Sequence, residues 1–179
     1  MAASVQQWFP FNLQSAVDDV IQQVDFSWCL SDPVVAELPG SAPFWIVKRE
    51  RLDALLLEQA IALGANLKRP FEVADLERDE NHWLVRSKEG EVIEAKAVVL
   101  ADGSGSPWPT RFGIGPRTLH MAKTLSVRLE GMGTLQPGTA RFEFGLVHHG
   151  FAWAFPVQNG INVGCLLYTS DAADESSSG

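Results

Sequence analysis

Cysteine is scarce: among 179 residues there are two, Cys29 and Cys165. Two thiols at that separation set neither a disulfide framework nor a metal-ligand spacing, so no metal is expected. Basic residues are also few. Fourteen Lys and Arg stand against 22 Asp and Glu, a formal net charge of −8. An acidic chain with no basic stripe is not expected to bind nucleic acid. No apolar run approaches the roughly 18 to 20 residues that cross a bilayer, and no secretory leader opens the chain. A cytoplasmic location is therefore the expectation. What is present, 46% hydrophobic and 20% charged residues, is the balance of a globular α/β domain with one sizeable core.

Residues 165–179 read CLLYTSDAADE and then SSSG. The first eleven equal the translation of the reverse complement of a transposase adapter used in preparing sequencing libraries. A polar C-terminal tail is the other reading of residues 171–179. The expectation is an adapter-derived, non-native tail over 165–179, with the gene's own frame cut at Gly164. Setting it aside removes Asp171, Asp174 and Glu175, so the charge moves from −8 to −5.

Apolar spacing then predicts the elements. Leu13, Val17, Val20, Ile21 and Val24 fall on one face of a helix over residues 12–24. Residues 31–43, with Pro33, Pro39, Gly40 and Pro43, read as a loop or a broken edge strand. A short strand over 44–47 leads into a helix over 50–63, with Gly64 placed to end it. Strands are expected at 65–67 and 71–77, and 82–87 with 91–95 reads as a hairpin turning at 88–90. The unbroken apolar run KAVVL, 96–100, reads as a strand buried on both faces. From 124 to 155 alternating strands return, with turns at 131–138 and 148–150.

Three motifs carry chemistry. In VVLADGSGS, 98–106, a strand delivers Asp102 to its C-terminal end, where a carboxylate can accept hydrogen bonds from ribose hydroxyls. Gly103 and Gly105 would let the backbone approach a phosphate chain. The same residues also serve as a plain turn. In VKRERLD, 47–53, Arg49 stands at a strand-to-helix junction, placed either to bind an anion or simply to solvate a helix start. In GFAWAFP, 150–156, Phe151, Trp153 and Phe155 share one face of a strand. They could line a cavity for a hydrocarbon substrate or belong to the core. His148 and His149 are adjacent and make no metal pair, and no nucleophile–His–Asp order assigns a catalytic residue.

In this order the motifs resemble the geranylgeranyl reductase family of FAD-dependent oxidoreductases, which has the para-hydroxybenzoate hydroxylase-like fold. The family's Arg, Leu-Asp, helix and Gly-Ala pattern matches Arg49, Leu52, Asp53, Gly64 and Ala65. Its Ala-Asp-Gly-x-x-Ser matches 101–106, and its Tyr-x-Trp-x-Phe-Pro followed by Gly matches 151–156 and Gly164, with Phe151 in place of Tyr. The resemblance covers nearly all of residues 7–164.

It implies an α/β (α+β mixed) fold with a β-meander and an antiparallel substrate-domain sheet. Residues 1–43 would belong to the substrate or cap region, 44–115 to the middle of the FAD-binding domain and 116–164 to the substrate-binding sheet. Arg49, Val73, Asp102, Gly103 and Ser106 would bind FAD. Phe151, Trp153, Phe155, Pro156 and Gly164 would line the substrate channel. The implied reaction is hydride transfer from reduced FAD to carbon–carbon double bonds of a prenyl chain, with NADPH or ferredoxin as electron donor. The substrate would be a prenyl lipid, a diphosphate or a chlorophyll precursor, which brings peripheral membrane contact. A monooxygenase or halogenase of the same fold is the alternative. The family's N-terminal Gly-x-Gly-x-x-Gly and later Gly-Asp motifs are not found, so an internal fragment that binds FAD weakly or not at all is also expected.

Overall fold

The computed structural model describes residues 1–41, 43–114 and 122–168. After 3-10 turns at Ala3–Trp8 and Gln14–Ala16 come strands β1 (Val17–Ile21), β2 (Gln23–Trp28), β3 (Ser31–Glu37) and β4 (Phe44–Val47). Helix α1 (Arg49–Ala62) follows, then β5 (Val73–Arg78), β6 (Trp83–Ser87), β7 (Val92–Ala95) and the short α2 (Trp108–Arg111). Strands β8 (Ala122–Glu130), β9 (Thr139–Phe144), β10 (Gly150–Val157) and β11 (Gly160–Tyr168) close the chain. The mixed α/β class with antiparallel sheets is as expected. Two compact units form, Met1–Ala62 with His120–Gly179, and Leu63–Leu119. β4 and α1 lie in the first of these units.

The first unit is built on a six-stranded sheet of order β3-β2-β9-β10-β11-β8. All neighbours are antiparallel except β2 and β9. A two-stranded β1–β4 ribbon lies in the same unit. Residues 12–24 are not a helix. Val17, Val20 and Ile21 are β-branched, a class with one stiff rotamer in helices and a good fit to pleated sheet. Opposite them Phe44–Val47 supplies a partner, with Val20 facing Trp45 and Ile21 facing Phe44. Tertiary pairing therefore overrides the helical spacing. Leu13, Ala16, Ile21, Trp45 and Pro156 are buried in this unit.

A bulge between Val17 and Asp19 sets Asp18 with almost no exposed side chain. Its Oδ2 accepts the Gln158 N–H at 3.1 Å, and Arg51 and Arg128 flank the carboxylate at 3.9 and 3.8 Å. The edge strand β3 contains Pro33, as a strand lacking one ladder donor must lie at an edge or bulge. β11 runs past Gly164 to Tyr168, pairing by backbone with both β10 and β8. Residues 169–179, most of the expected tail, lie outside the described residues.

The second unit holds the expected meander, order β5-β6-β7, with Gly90 at φ +87° in the 88–90 turn. Two expected strands do not form. Residues 65–67 and 96–100 make no ladder, because a strand exists only when a neighbouring strand satisfies its backbone, and among the described residues none flanks either segment. Residues 96–100 are also not buried on both faces: Val98 and Leu100 are half-buried while Val99 is 86% exposed.

Candidate functional site

In the first unit, pairing across β2, β9 and β10 assembles an aromatic face that no single strand contains. Phe26 stands opposite Phe142, Trp153 opposite Phe142, and Phe151 opposite Phe144. Ring centroids lie 5.6 Å apart for Phe26–Phe142, 5.3 Å for Phe142–Phe155, 5.8 Å for Phe144–Phe151 and 6.0 Å for Trp153–Phe155. These are distances at which aromatic pairs attract beyond simple burial. All of these rings except Phe26 are half-buried, and Phe26 is exposed. Phe151, Trp153 and Phe155 are thus brought together as expected of a stripe. Phe26, Phe142 and Phe144 are additions that the alternation in DFSW and RFEF, at 25–28 and 141–144, could have signalled.

Gly164 lies directly opposite Trp153. Both line a shallow apolar groove of about 370 Å³ with Leu125, Val127 and Val163. The Trp153 indole N–H donates to Asn162 Oδ1 at 2.9 Å, fixing the ring. Pro156 is fully buried and, by strand alternation, lies on the opposite face from Phe155.

The reverse face carries polar cross-strand pairs in register: Gln23 with Thr139, Asp25 with Arg141 and Ser27 with Glu143. Arg141 meets Asp25 at 2.9 Å. Glu143 is buried and accepts from the Ser27 hydroxyl and, at 2.7 Å, from the Leu30 N–H. Burial by itself would raise its carboxyl. The two donated hydrogen bonds and the Arg141 charge outweigh that and hold it below the usual carboxylate range.

Arg49 opens α1 directly after β4, at the junction the sequence predicts. Its side chain is 78% exposed and pairs one turn on with Asp53, at 3.1 Å. That hydrogen bond, and then the Asp53 charge, raise its already high pKa.

In the second unit, Val73 and Asp102 line one open cavity of about 510 Å³. Phe71, Leu76, Val85, Val98 and Trp108 supply apolar wall, and Glu72 adds a second carboxylate. Glu72 is ion-paired with Lys88, whose pKa is raised by that hydrogen bond and charge. Gly103, at φ +95°, turns the chain sharply after Asp102 with open space around it. The Ser106 N–H closes that turn on the Gly103 carbonyl at 3.1 Å, and the Ser106 hydroxyl accepts the Trp108 N–H at 3.3 Å. Among the described residues that line the cavity none is Arg or Lys, and Lys88 reaches its edge through Glu72. Its apolar walls and two carboxylates suit a planar group bearing hydroxyl donors. Among the described residues no cluster of His, Cys, Asp and Glu could hold a metal.

No family model matches the chain. Protein FixC of Escherichia coli K12 is 38% identical over 81 residues, which are 45% of this chain and 19% of that protein. Protein FixC of Salmonella typhi is 34% identical over 71 residues. The matched stretches thus span about a fifth of these relatives' length. Among solved structures, the halogenase PltM in complex with phloroglucinol and FAD aligns at TM-score 0.70 and 14% identity, covering 96% of this chain and 40% of that one. FqzB aligns at TM-score 0.71 and 16% identity, covering 98% and 44%. A Klebsiella pneumoniae HpxO variant complexed with FAD aligns at 0.65 and 16%, covering 89% and 44%. At these identities the likeness speaks for architecture. The chain has the mixed α/β fold, with antiparallel sheets, of the FAD-binding para-hydroxybenzoate hydroxylase-like proteins.

Proposed function

We propose that this chain supplies part of an FAD-dependent oxidoreductase acting on an apolar substrate. The observation that carries the reading is that Val73 and Asp102 share one cavity. Its apolar walls and carboxylate oxygens fit the adenosine end of FAD. Asp102 would accept from ribose hydroxyls and the backbone beside Val73 would face the adenine. Arg49, Gly103 and Ser106 are the further proposed FAD contacts. FAD would supply the hydride or electron chemistry. The chain's own part is to orient cofactor and substrate and to exclude water. The aromatic face of Phe151, Trp153 and Phe155 would receive the substrate.

Two reactions fit that arrangement. Similarity to halogenase PltM in complex with phloroglucinol and FAD favours oxygen-dependent chemistry on a ring substrate. The motif order and the uncharged aromatic face favour reduction of a prenyl chain, with NADPH or ferredoxin as donor and a cytoplasmic enzyme in peripheral contact with membrane.

Resequencing the source DNA before Met1 and past Gly164 gives the frame to express. The purified product is expected to carry flavin, seen by its visible absorbance and by the mass of the released cofactor. A product that neither carries nor takes up flavin overturns the reading. Anaerobic reduction of a prenyl double bond and oxygen-dependent turnover of a ring substrate then separate the two reactions.

A further inference from the structure

The sheet face that carries Phe151, Trp153 and Phe155 turns polar across β11 and β8. Trp153 stands opposite Gly164 and Gly164 opposite Ser126; Phe155 stands opposite Asn162 and Asn162 opposite Arg128. Residues directly opposite in a ladder share a face. Asn162, half-buried, is therefore at the boundary. Its Oδ1 accepts the Trp153 indole N–H at 2.9 Å. An indole N–H can only donate, so the amide oxygen must take that side. The other branch of the amide, Nδ2 with its two protons, is thereby turned away from the indole. Among the described residues Nδ2 has no acceptor, and it is not one of the buried polar atoms left without a partner. It is an open donor at the rim of the aromatic surface. Arg128, next in that row, is held by the Gln158 carbonyl, to which it donates, and by Asp18 at 3.8 Å.

We infer that Asn162 is a specificity-determining residue, its Nδ2 donating to a neutral oxygen, hydroxyl or carbonyl, on an otherwise apolar substrate. The inference rests on the proposed role of the aromatic face as the surface that receives substrate. Trp153 acts here as a positioning residue, since its N–H holds the amide in the one orientation that presents a donor. A hydrocarbon lying over Nδ2 strips water from it and returns no acceptor. An alcohol or a ketone returns one, so a ligand without oxygen is penalised. Gly164 takes part as well. A Cβ there would stand 2.4 Å from the Trp153 ring and push the indole away from Asn162.

Tryptophan-emission titrations of the 179-residue chain with farnesol and with farnesene, similar chains with and without a hydroxyl, test it. Farnesol is expected to bind about tenfold more tightly. In nitrogen–proton NMR spectra the Asn162 side-chain NH2 pair is expected to shift with farnesol and not with farnesene. Asn162→Asp keeps an acceptor for the indole and removes the donor. In that variant the Trp153 indole resonance, identified by its loss in Trp153→Phe, is expected to stay downfield while the preference for farnesol disappears. Asn162→Leu is expected to lose both the preference and the downfield shift. A preference that survives Asn162→Asp, or an Asn162 NH2 pair unmoved by bound farnesol, overturns the inference. Equal binding of farnesol and farnesene overturns it too, while leaving the face as a substrate surface. Binding of neither overturns the reading of the face itself and this inference with it, whatever flavin the extended protein carries. Tighter binding of farnesyl diphosphate than of farnesol overturns the neutral oxygen, because the group recognised is then an anion.

Discussion

Trp153 lies over Gly164 at a distance that leaves no room for a side chain. A Cβ built on Gly164 would stand 2.7 Å from Trp153 Cε2 and 2.5 Å from the Leu125 carbonyl oxygen. The glycine is thus what lets the indole lie flat across β11, with its N–H turned to Asn162.

Gly164→Ala is therefore expected to destabilise the first unit by about 1–3 kcal/mol, the usual cost of overpacking. That lowers the thermal midpoint by roughly 2–4 °C per kcal/mol. Gly105→Ala is the control, since its Cβ meets nothing within 4 Å and its φ is not left-handed. Equal midpoints for the two variants would contradict the packing described.

Removing the Glu143 carboxylate orphans the Leu30 N–H and the Ser27 hydroxyl beneath the turn from β2 to β3. Glu143→Ala is expected to cost about 1–3 kcal/mol at neutral pH. The folded carboxyl sits below its ordinary value, so its stabilisation is fully present above the unfolded glutamate pKa of about 4.3. It is lost as pH falls from there through the depressed folded value. Urea midpoints of the natural and variant chains should converge across that acid range and stay apart above it.

Arg49 and Asp53 form an exposed pair one helical turn apart, the kind that adds little to stability. Arg49→Ala should leave the thermal midpoint of this chain unchanged. In the extended, flavin-carrying protein the same variant should retain less FAD if Arg49 contacts the cofactor. A large loss of stability would assign it a structural role.

Asp102→Ala should act on cofactor and not on fold, because Asp102 is exposed. Losing one carboxylate-to-hydroxyl hydrogen bond is expected to weaken FAD binding in the extended protein by about tenfold. Equilibrium dialysis checks this, with the circular dichroism spectrum expected to stay the same.

Local sequence was enough for elements that complete themselves. Helix α1 follows from Leu52, Leu55 and Leu56 on one side and from Gly64, whose φ of +96° ends it. The meander turns at Gly90, and β8 to β10 follow from period-two alternation; β9 and β10, joined by a short loop, pair directly, while β8 finds its partner in β11. The stripe of Phe151, Trp153 and Phe155 needed only that alternation.

Elsewhere the partner decides, and the partner is distant in sequence. Val17, Val20 and Ile21 satisfy helical spacing as well as strand pairing; only Phe44–Val47 across from them selects the strand. KAVVL has the composition of a doubly buried strand, yet with no flanking strand among the described residues its backbone forms no ladder, and Val99 is exposed. The aromatic face is likewise tertiary. Phe26 and Phe142 lie 116 positions apart, and they meet because β2 runs parallel to β9 in a register set by the whole sheet. Side-chain chemistry was determined by the sequence; which side chains share a face was decided by hydrogen-bonded register, a property of pairs of strands that no single segment encodes.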